Sequence, residues 1–192
     1  MRFYISDLHL FHENAIKFDD RPFSDIQDMH DTIRERWNSK VTNGDTVYIL
    51  GDLSMRGTQE DLIAFVATLK GRKILVKGNH DDVSDYRYKQ LFDEICDYKE
   101  ITDSFNGRNY ELVLCHYPIL SWKKMGRGTI LLYGHTHNSA EDAYFKKCLD
   151  GMAQAGCRHL QEHEPKAINV GCMKEWVDYE PRSLKELLEK QN

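Results

Sequence analysis

Neither a disulfide framework nor a cysteine metal cluster is legible in this chain. Its five cysteines, Cys96, Cys115, Cys148, Cys157 and Cys172, are odd in number and scattered, and no Cys-x-x-Cys pair occurs. A reduced, cytoplasmic protein is therefore expected rather than a disulfide scaffold. Cys115 and Cys172 stand in apolar stretches, where cysteine behaves as a small buried hydrophobe. No apolar run approaches the roughly 20 residues needed to cross a bilayer, so no membrane role is expected. The opening Met1-Arg2-Phe3-Tyr4-Ile5-Ser6-Asp7 reaches an acid almost at once and does not read as a signal peptide. An excess of basic charge is missing too. The formal net charge is -5, so no global field favours a nucleic-acid backbone as partner. Repeats, low-complexity tracts and linkers are absent, and one domain over 1–192 is the expectation.

What is present is an ordinary globular balance. With 192 residues, 41% of them hydrophobic and 30% charged, the chain can bury a proper core. Short apolar runs read as strands buried on both faces: Phe3–Ile5, Thr46–Leu50, Lys73–Val76, Tyr110–Leu114, Thr129–Tyr133 and Ala167–Val170. Helical patterns lie between them. Ser24 and Gln27 have capping-box spacing, and Ile26, Met29, Ile33 and Trp37 follow on one stripe. Thr58 with Asp61, and Ser183 with Glu186, open two more helices. His30 falls off the apolar stripe and is expected in solvent. The segment Asn138 to Glu164 reads as a helical insertion over one edge. Strands alternating with helices imply an α/β architecture.

Residues suited to chemistry cluster just after the strands. The first strand ends in Asp7-Leu8-His9, the second in Gly51-Asp52, and the third in Gly78-Asn79-His80-Asp81. The run ending at Leu114 delivers His116, and the next delivers Gly134-His135-Thr136-His137. Residues two apart on an extended chain point the same way, so Asp7 with His9, and His135 with His137, are expected to act from one side. In open α/β sheets, ligands bind outside the carboxyl ends of the strands, where these loops converge. Two aspartates, one asparagine and four histidines (His80 aside) offer oxygen and imidazole donors without thiolate. That set suits Mn, Fe, Zn, Ni or Co. Seven donors exceed the needs of one ion and fit two ions sharing a carboxylate.

In order and in kind, Asp7-x-His9, Gly51-Asp52, Gly78-Asn79-His80-Asp81, His116 and Gly134-His135-x-His137 resemble the five motifs of the calcineurin-like metallophosphoesterases. The closing Asn169-Val170-Gly171 resembles that family's last core strand, and the resemblance spans nearly the whole chain. It implies a two-sheet β-sandwich flanked by helices. It further implies two divalent transition-metal ions, Mn first among them, in two ligand sets. Asp7, His9, Asp52 and His137 would hold one ion. Asp52, Asn79, His116 and His135 would hold the other, with Asp52 bridging. His80 would donate a proton to the leaving oxygen, and a hydroxide between the metals would attack the phosphorus. The substrate implied is a small phosphodiester or phosphomonoester.

The chain departs from the protein serine/threonine phosphatases of that superfamily. Their Asp-Arg pair after the bridging Asp reads Met55-Arg56 here, which argues against a protein phosphatase and leaves Asp81 or Asp82 to orient His80. The chain looks more like short bacterial and phage-type members, in which His12, Asn14 and Arg21-Pro22-Phe23 recur after the first motif. His12, Arg21 and Arg56 are accordingly candidate substrate contacts. Tyr117, Trp122, Trp176 and Tyr179 read either as an aromatic wall beside the pocket or as core. His159 and His163 have metal-binding i, i+4 spacing but read as a surface pair. A nuclease of the same superfamily and a non-catalytic metal-binding scaffold are the alternatives. The filled ligand set and His80 argue against the scaffold.

Overall fold

Two four-stranded sheets carry the chain in the computed structural model, which describes residues 1–155, 160 and 163–190. The first sheet runs β1 (Arg2–Ile5), β2 (Thr46–Ile49), β3 (Arg72–Val76), β4 (Glu94–Cys96), all parallel. The second runs β5 (Tyr98–Phe105), β6 (Arg108–Cys115), β7 (Ile130–Tyr133), β8 (Lys166–Asn169). There β5 is antiparallel to β6 and the remaining pairs are parallel. All six expected strands are present. β4 and β5 were not foreseen, because β5 alternates exposed with half-buried residues and gives no continuous apolar run.

Parallel neighbours need crossovers. α2 (Ile26–Lys40) joins β1 to β2, and α3 (Gln59–Ala67) joins β2 to β3. Met29, Ile33 and Trp37 from α2, with Leu62, Phe65 and Val66 from α3, share one core with β1, β2 and β3. Leu112, Leu114, Ile130 and Leu132 enter that same core from the second sheet. Their strand neighbours Val113, Cys115, Leu131 and Tyr133 point the other way, as the two-residue strand period requires. They meet Phe145 and Leu149 of α5 (Ala140–Gln154). Segment 138–164 therefore supplies a helix over the face of the second sheet rather than an insertion over an edge. The layers run helices, sheet, sheet, helix.

Three capping signals can be compared with the structure. Thr58 and Asp61 form a full capping box, and Ser183 caps α6 (Leu184–Lys190) through Glu186. The α2 cap shifts by one residue: Asp25 accepts from the Asp28 amide, while Ser24 donates to the Asp28 carboxylate. Two short helices, α1 (Glu13–Phe18) and α4 (Tyr86–Lys89), complete the set. His30 is buried rather than solvated. Its Nε2 accepts from the Phe11 amide at 2.9 Å, and its ring packs on Phe11 and Phe65. Trp122 lies in the outer core of the second sheet. Cys96, Cys115, Cys148 and Cys172 are unpaired, and Cys157 and His159 lie outside the described residues. Among the described residues, no helix is long and apolar enough to cross a membrane.

The sheets are stitched together beside the ends of β1 and β8. Ser6 donates its amide to Val170 and accepts from the Cys172 amide, both at 2.9 Å. The buried Tyr4 of β1 donates its hydroxyl to Asp103 of β5 at 2.7 Å. Tyr4→Phe removes that inter-sheet bond to a charged acceptor. A loss of about 1–2 kcal/mol is expected in urea unfolding, with the fold retained.

Candidate metal centre

The loops after β1, β2, β3, β6 and β7 bring the candidate ligands together where the two sheets meet. Asp7, His9 and His137 form one group, and Asp52, His116 and His135 another, with the ligand atoms of each within 4.8 Å of one another. Asp7, His9, Asp52 and His116 are buried, His135 and His137 half-buried, and Asn79 exposed. Convergence is as expected, but the local geometry is not strand-like. Asp7, His9, Asp52, His135 and His137 all have left-handed backbones, with φ of 57°, 49°, 50°, 69° and 46°. Asp and His tolerate this region better than most residues, and such conformations persist where surrounding contacts hold them. The two-apart rule therefore fails for His135 and His137. Each joins a different group, because the chain turns between them.

Ring tautomers decide what these groups can hold. His116 donates Nδ1–H to the Leu50 carbonyl at 2.8 Å, which in the neutral ring leaves Nε2 as the free nitrogen. That nitrogen faces Asp52 Oδ2 at 3.6 Å and Asn79 Oδ1 at 3.2 Å. His137 likewise turns Nδ1 to the Asp19 carboxylate at 2.8 Å and its Nε2 towards Asp7 Oδ1 at 3.7 Å. His9 Nε2 lies 3.1 Å from His137 Nε2 and 3.8 Å from Asp52 Oδ2. Burial would lower the His137 imidazole, but Asp19 and Asp7 outweigh it and raise it. Ring nitrogens and carboxylate oxygens of both groups thus converge, an arrangement suited to shared divalent cations.

Charge bookkeeping agrees. Among the described residues, no Lys or Arg forms an ion pair with the Asp7 or Asp52 carboxylate, both of them buried. Burial pushes the Asp7 carboxyl above its ordinary range, against the pull of His137 and His116. Burial, with His137 and Arg21 nearby, pushes the His9 imidazole down to about 2, so this ring is neutral. The donor set fits two divalent cations. The Asp52 carboxylate stands between the groups, its Oδ2 facing His9 on one side and His116 on the other.

Neighbouring groups fix these ligands. Asp7 accepts from the Ser6 hydroxyl at 2.6 Å and from the His135 amide at 3.0 Å. Asp81 accepts from the amides of Asp52, Leu53 and Gly78 at 2.9, 2.9 and 2.8 Å, so it staples two loops. Asp82 accepts from the Ser84 amide. Neither acid therefore orients the His80 ring, contrary to expectation. Arg21 also departs from its expected role as a substrate contact. It is only 4% exposed and donates to the carbonyls of Leu8 and Asp7 and to the Asp19 carboxylate. It braces the left-handed turn from within. Burial would raise the Asp19 carboxyl, but His137 and Arg21 outweigh it and hold the group below its usual range. Asp19 was missed in the sequence; its one signal is an acid two places before Arg21-Pro22-Phe23.

His80, Arg56 and His12 stand at the rim. The His80 amide donates to Asp52 Oδ1 at 3.0 Å, and its half-buried ring lies 5.8 Å from that of His9. Arg56 is exposed, forms no ion pair among the described residues, and lines with His80 a cavity of about 200 Å³. His12 packs 6.0 Å from His9, and its buried Nδ1 has no partner. A larger groove of about 670 Å³ opens on the other side, past His135 and His137. Its walls include Asp19, Asp20, Glu141, Glu175 and Asp178. Of the four candidate wall aromatics, Tyr117 stands exposed against the His116 and His135 rings, at 4.9 and 4.8 Å. Tyr179 is buried at the groove, and Trp176 donates to the Asn169 carbonyl. Phe18 was not foreseen; it is 55% exposed and leans on His9, His12 and His137.

The model of the calcineurin-like phosphoesterase family matches residues 3–147. An uncharacterised protein of Methanocaldococcus jannaschii is 29% identical, covering 95% of this chain and 86% of that protein. The gene 66 protein of Mycobacterium phage D29 is 31% identical over 70% of this chain and 77% of its own length. Among solved structures, a protein of unknown function from Aquifex aeolicus, AQ665, superposes with a TM-score of 0.67 at 27% identity. That match covers 100% of this chain and 99% of the other.

The glycines of the motifs are required by contact. A Cβ on Gly78 would collide with Asp52 Oδ1 and stand 2.8 Å from His116 Cε1; one on Gly51 would lie 2.5 Å from His116 Nδ1. Gly78→Ala is expected to cost about 1–3 kcal/mol, the range of core overpacking. Chemical denaturation of the metal-free protein reads this directly.

Proposed function

The chain belongs to the calcineurin-like phosphoesterase family, and from that premise we propose that it hydrolyses a small phosphodiester or phosphomonoester with two divalent metal ions sharing Asp52. The observation that carries the reading is the pair of buried carboxylates, without Lys or Arg ion-pair partners among the described residues, facing imidazole nitrogens from two sides. Asp7, His9, Asp52 and His137 would hold one ion. Asp52, Asn79, His116 and His135 would hold the other. Bound divalent ions supply Lewis acidity: they lower the pKa of water to about 7 and neutralise charge on phosphoryl oxygens. Manganese is the first choice of ion, on the mixed oxygen and imidazole donors. A reducing, cytoplasmic setting is part of the same reading, supported by the four unpaired cysteines.

The chain's own residues would do the rest. His80 stands at the rim with its ring free of hydrogen bonds among the described residues, and would pass a proton to the departing alkoxide. Arg56 and His12 would take the phosphoryl oxygens, because they present positive charge or donors beside His80 without ion-pair partners. The acid-lined groove would receive the remainder of the ester. That lining repels polyanions, which favours a small ester over the nuclease alternative.

Hydrolysis of bis-p-nitrophenyl phosphate and p-nitrophenyl phosphate, metal-stripped and then with added Mn, tests the reading. Mn-dependent turnover is expected, and a faster diester or monoester names the enzyme a phosphodiesterase or a phosphatase. No hydrolysis with any divalent metal, while ions still bind, would favour the scaffold instead. Asp52→Asn should weaken the binding of both ions and abolish turnover; unchanged metal content would refute the bridge. His80→Gln should keep the ions and cut turnover of a poor leaving group by about 10²–10⁴-fold. An undiminished rate would remove His80 as the proton donor.

A further inference from the structure

Behind the turn that carries His135 and His137 lies a buried carboxylate that none of the strand-end motifs contains. Asp142, in the first turn of α5, is 4% exposed. Its Oδ1 accepts from the Tyr133 hydroxyl at 2.8 Å, the Thr136 hydroxyl at 3.0 Å and the Asn169 amide at 2.9 Å. Its Oδ2 meets the ammonium groups of Lys174 and Lys146, each at 3.0 Å. Burial would raise this carboxyl, but the donors from Asn169, Tyr133, Lys146 and Lys174 outweigh it and hold it well below its ordinary range. It is therefore an anion at neutral pH, with every partner inside the fold.

Thr136 is the residue between the two histidines, and it too is buried. Its hydroxyl donates to Asp142 and accepts from Asn169 Nδ2 at 3.1 Å. Both flanking histidines have left-handed backbones, a conformation that costs energy in a non-glycine residue unless contacts hold it. One histidine belongs to each ligand group. Moving the Thr136 Cα would therefore move a ligand of each ion.

We propose that Asp142, acting through the Thr136 hydroxyl, is a positioning residue that places His135 and His137 together and so sets the affinity of both ion sites at once. The inference rests on the two-ion reading above. It assigns a role to α5 beyond covering the second sheet: the helix brings a charge to the back of the catalytic turn. Simple anchoring of α5 would need Tyr133, Asn169 and Lys174, but not the Thr136 hydroxyl.

Thr136→Val separates these roles, since it removes the hydroxyl while keeping shape, and Asp142 retains its other donors. Thr136→Ser restores the hydroxyl. Metal-free protein is titrated with Mn by calorimetry, and thermal melts of the metal-free forms confirm folding. The wild type should bind two ions. Thr136→Val should melt near the wild type and bind both ions about 10–100-fold more weakly, the usual effect of removing an outer-shell partner. Thr136→Ser should recover most of that affinity. Wild-type affinity in Thr136→Val, weakening at one site alone, or no recovery with serine would each overturn the proposal. A wild type that binds no Mn would instead overturn the two-ion reading, and this inference with it.

Discussion

Asp7 and Asp52 are buried carboxylates that form no ion pair with a lysine or arginine among the described residues, and ring nitrogens of His9, His116 and His137 face their oxygens. Isolated buried charge is strongly unfavourable. A pair of divalent cations would supply the counter-charge, and the surrounding contacts fix the geometry of the two groups. Arg21 grips the carbonyls of Asp7 and Leu8, Asp81 grips three amides of the Asp52 and Gly78 loops, and Asp7 itself holds the amide of His135. A carboxylate of one candidate group thus braces the backbone of the other.

The layers explain why this can happen at one end of the molecule. Parallel strands buried on both faces deliver their carboxyl ends to a common edge, and the Ser6 to Val170 and Cys172 bonds close the two sheets there. Glycines at 51, 78 and 134 let backbone approach ligand side chains where any Cβ would intrude. Helices α2, α3 and α5 seal the outer faces, and α5 alone among them sends a buried charge towards the site.

The candidate ligands were legible because Asp, Asn and His recur at successive strand ends, and the strands stood out as apolar runs. Contacts made across the fold were not. Arg21 looked like a cation for substrate, and only the tertiary structure shows it turned inward. His30 lay off the apolar stripe of α2, yet the Phe11 amide gives its ring a buried partner. Asp19 and Asp142 are hard to pick out because the contacts that tie them to the site cross the fold: Asp19 to His137 and Asp142 to Asn169, 118 and 27 residues away. Asp7 and His9 share a group as their spacing suggests, whereas His135 and His137 part, because left-handed backbones replace the extended chain that the two-residue rule assumes. β5 escaped notice for the opposite reason: an alternating, half-exposed strand carries too few apolar residues to stand out.

Asymmetry around the centre bears on what enters it. Arg56 and His80 line a cavity on one side, while five carboxylates and the exposed ring of Phe18 line the groove on the other. In the proposed reaction, a phosphoryl group and the remainder of its ester would meet different environments. All of this depends on two cations sharing Asp52. Crystals grown with Mn and measured at its absorption edge test that claim most directly. Two anomalous peaks about 3.5–4 Å apart, with the Asp52 carboxylate between them, are the expected result. A single peak, or two peaks that do not share Asp52, would contradict it.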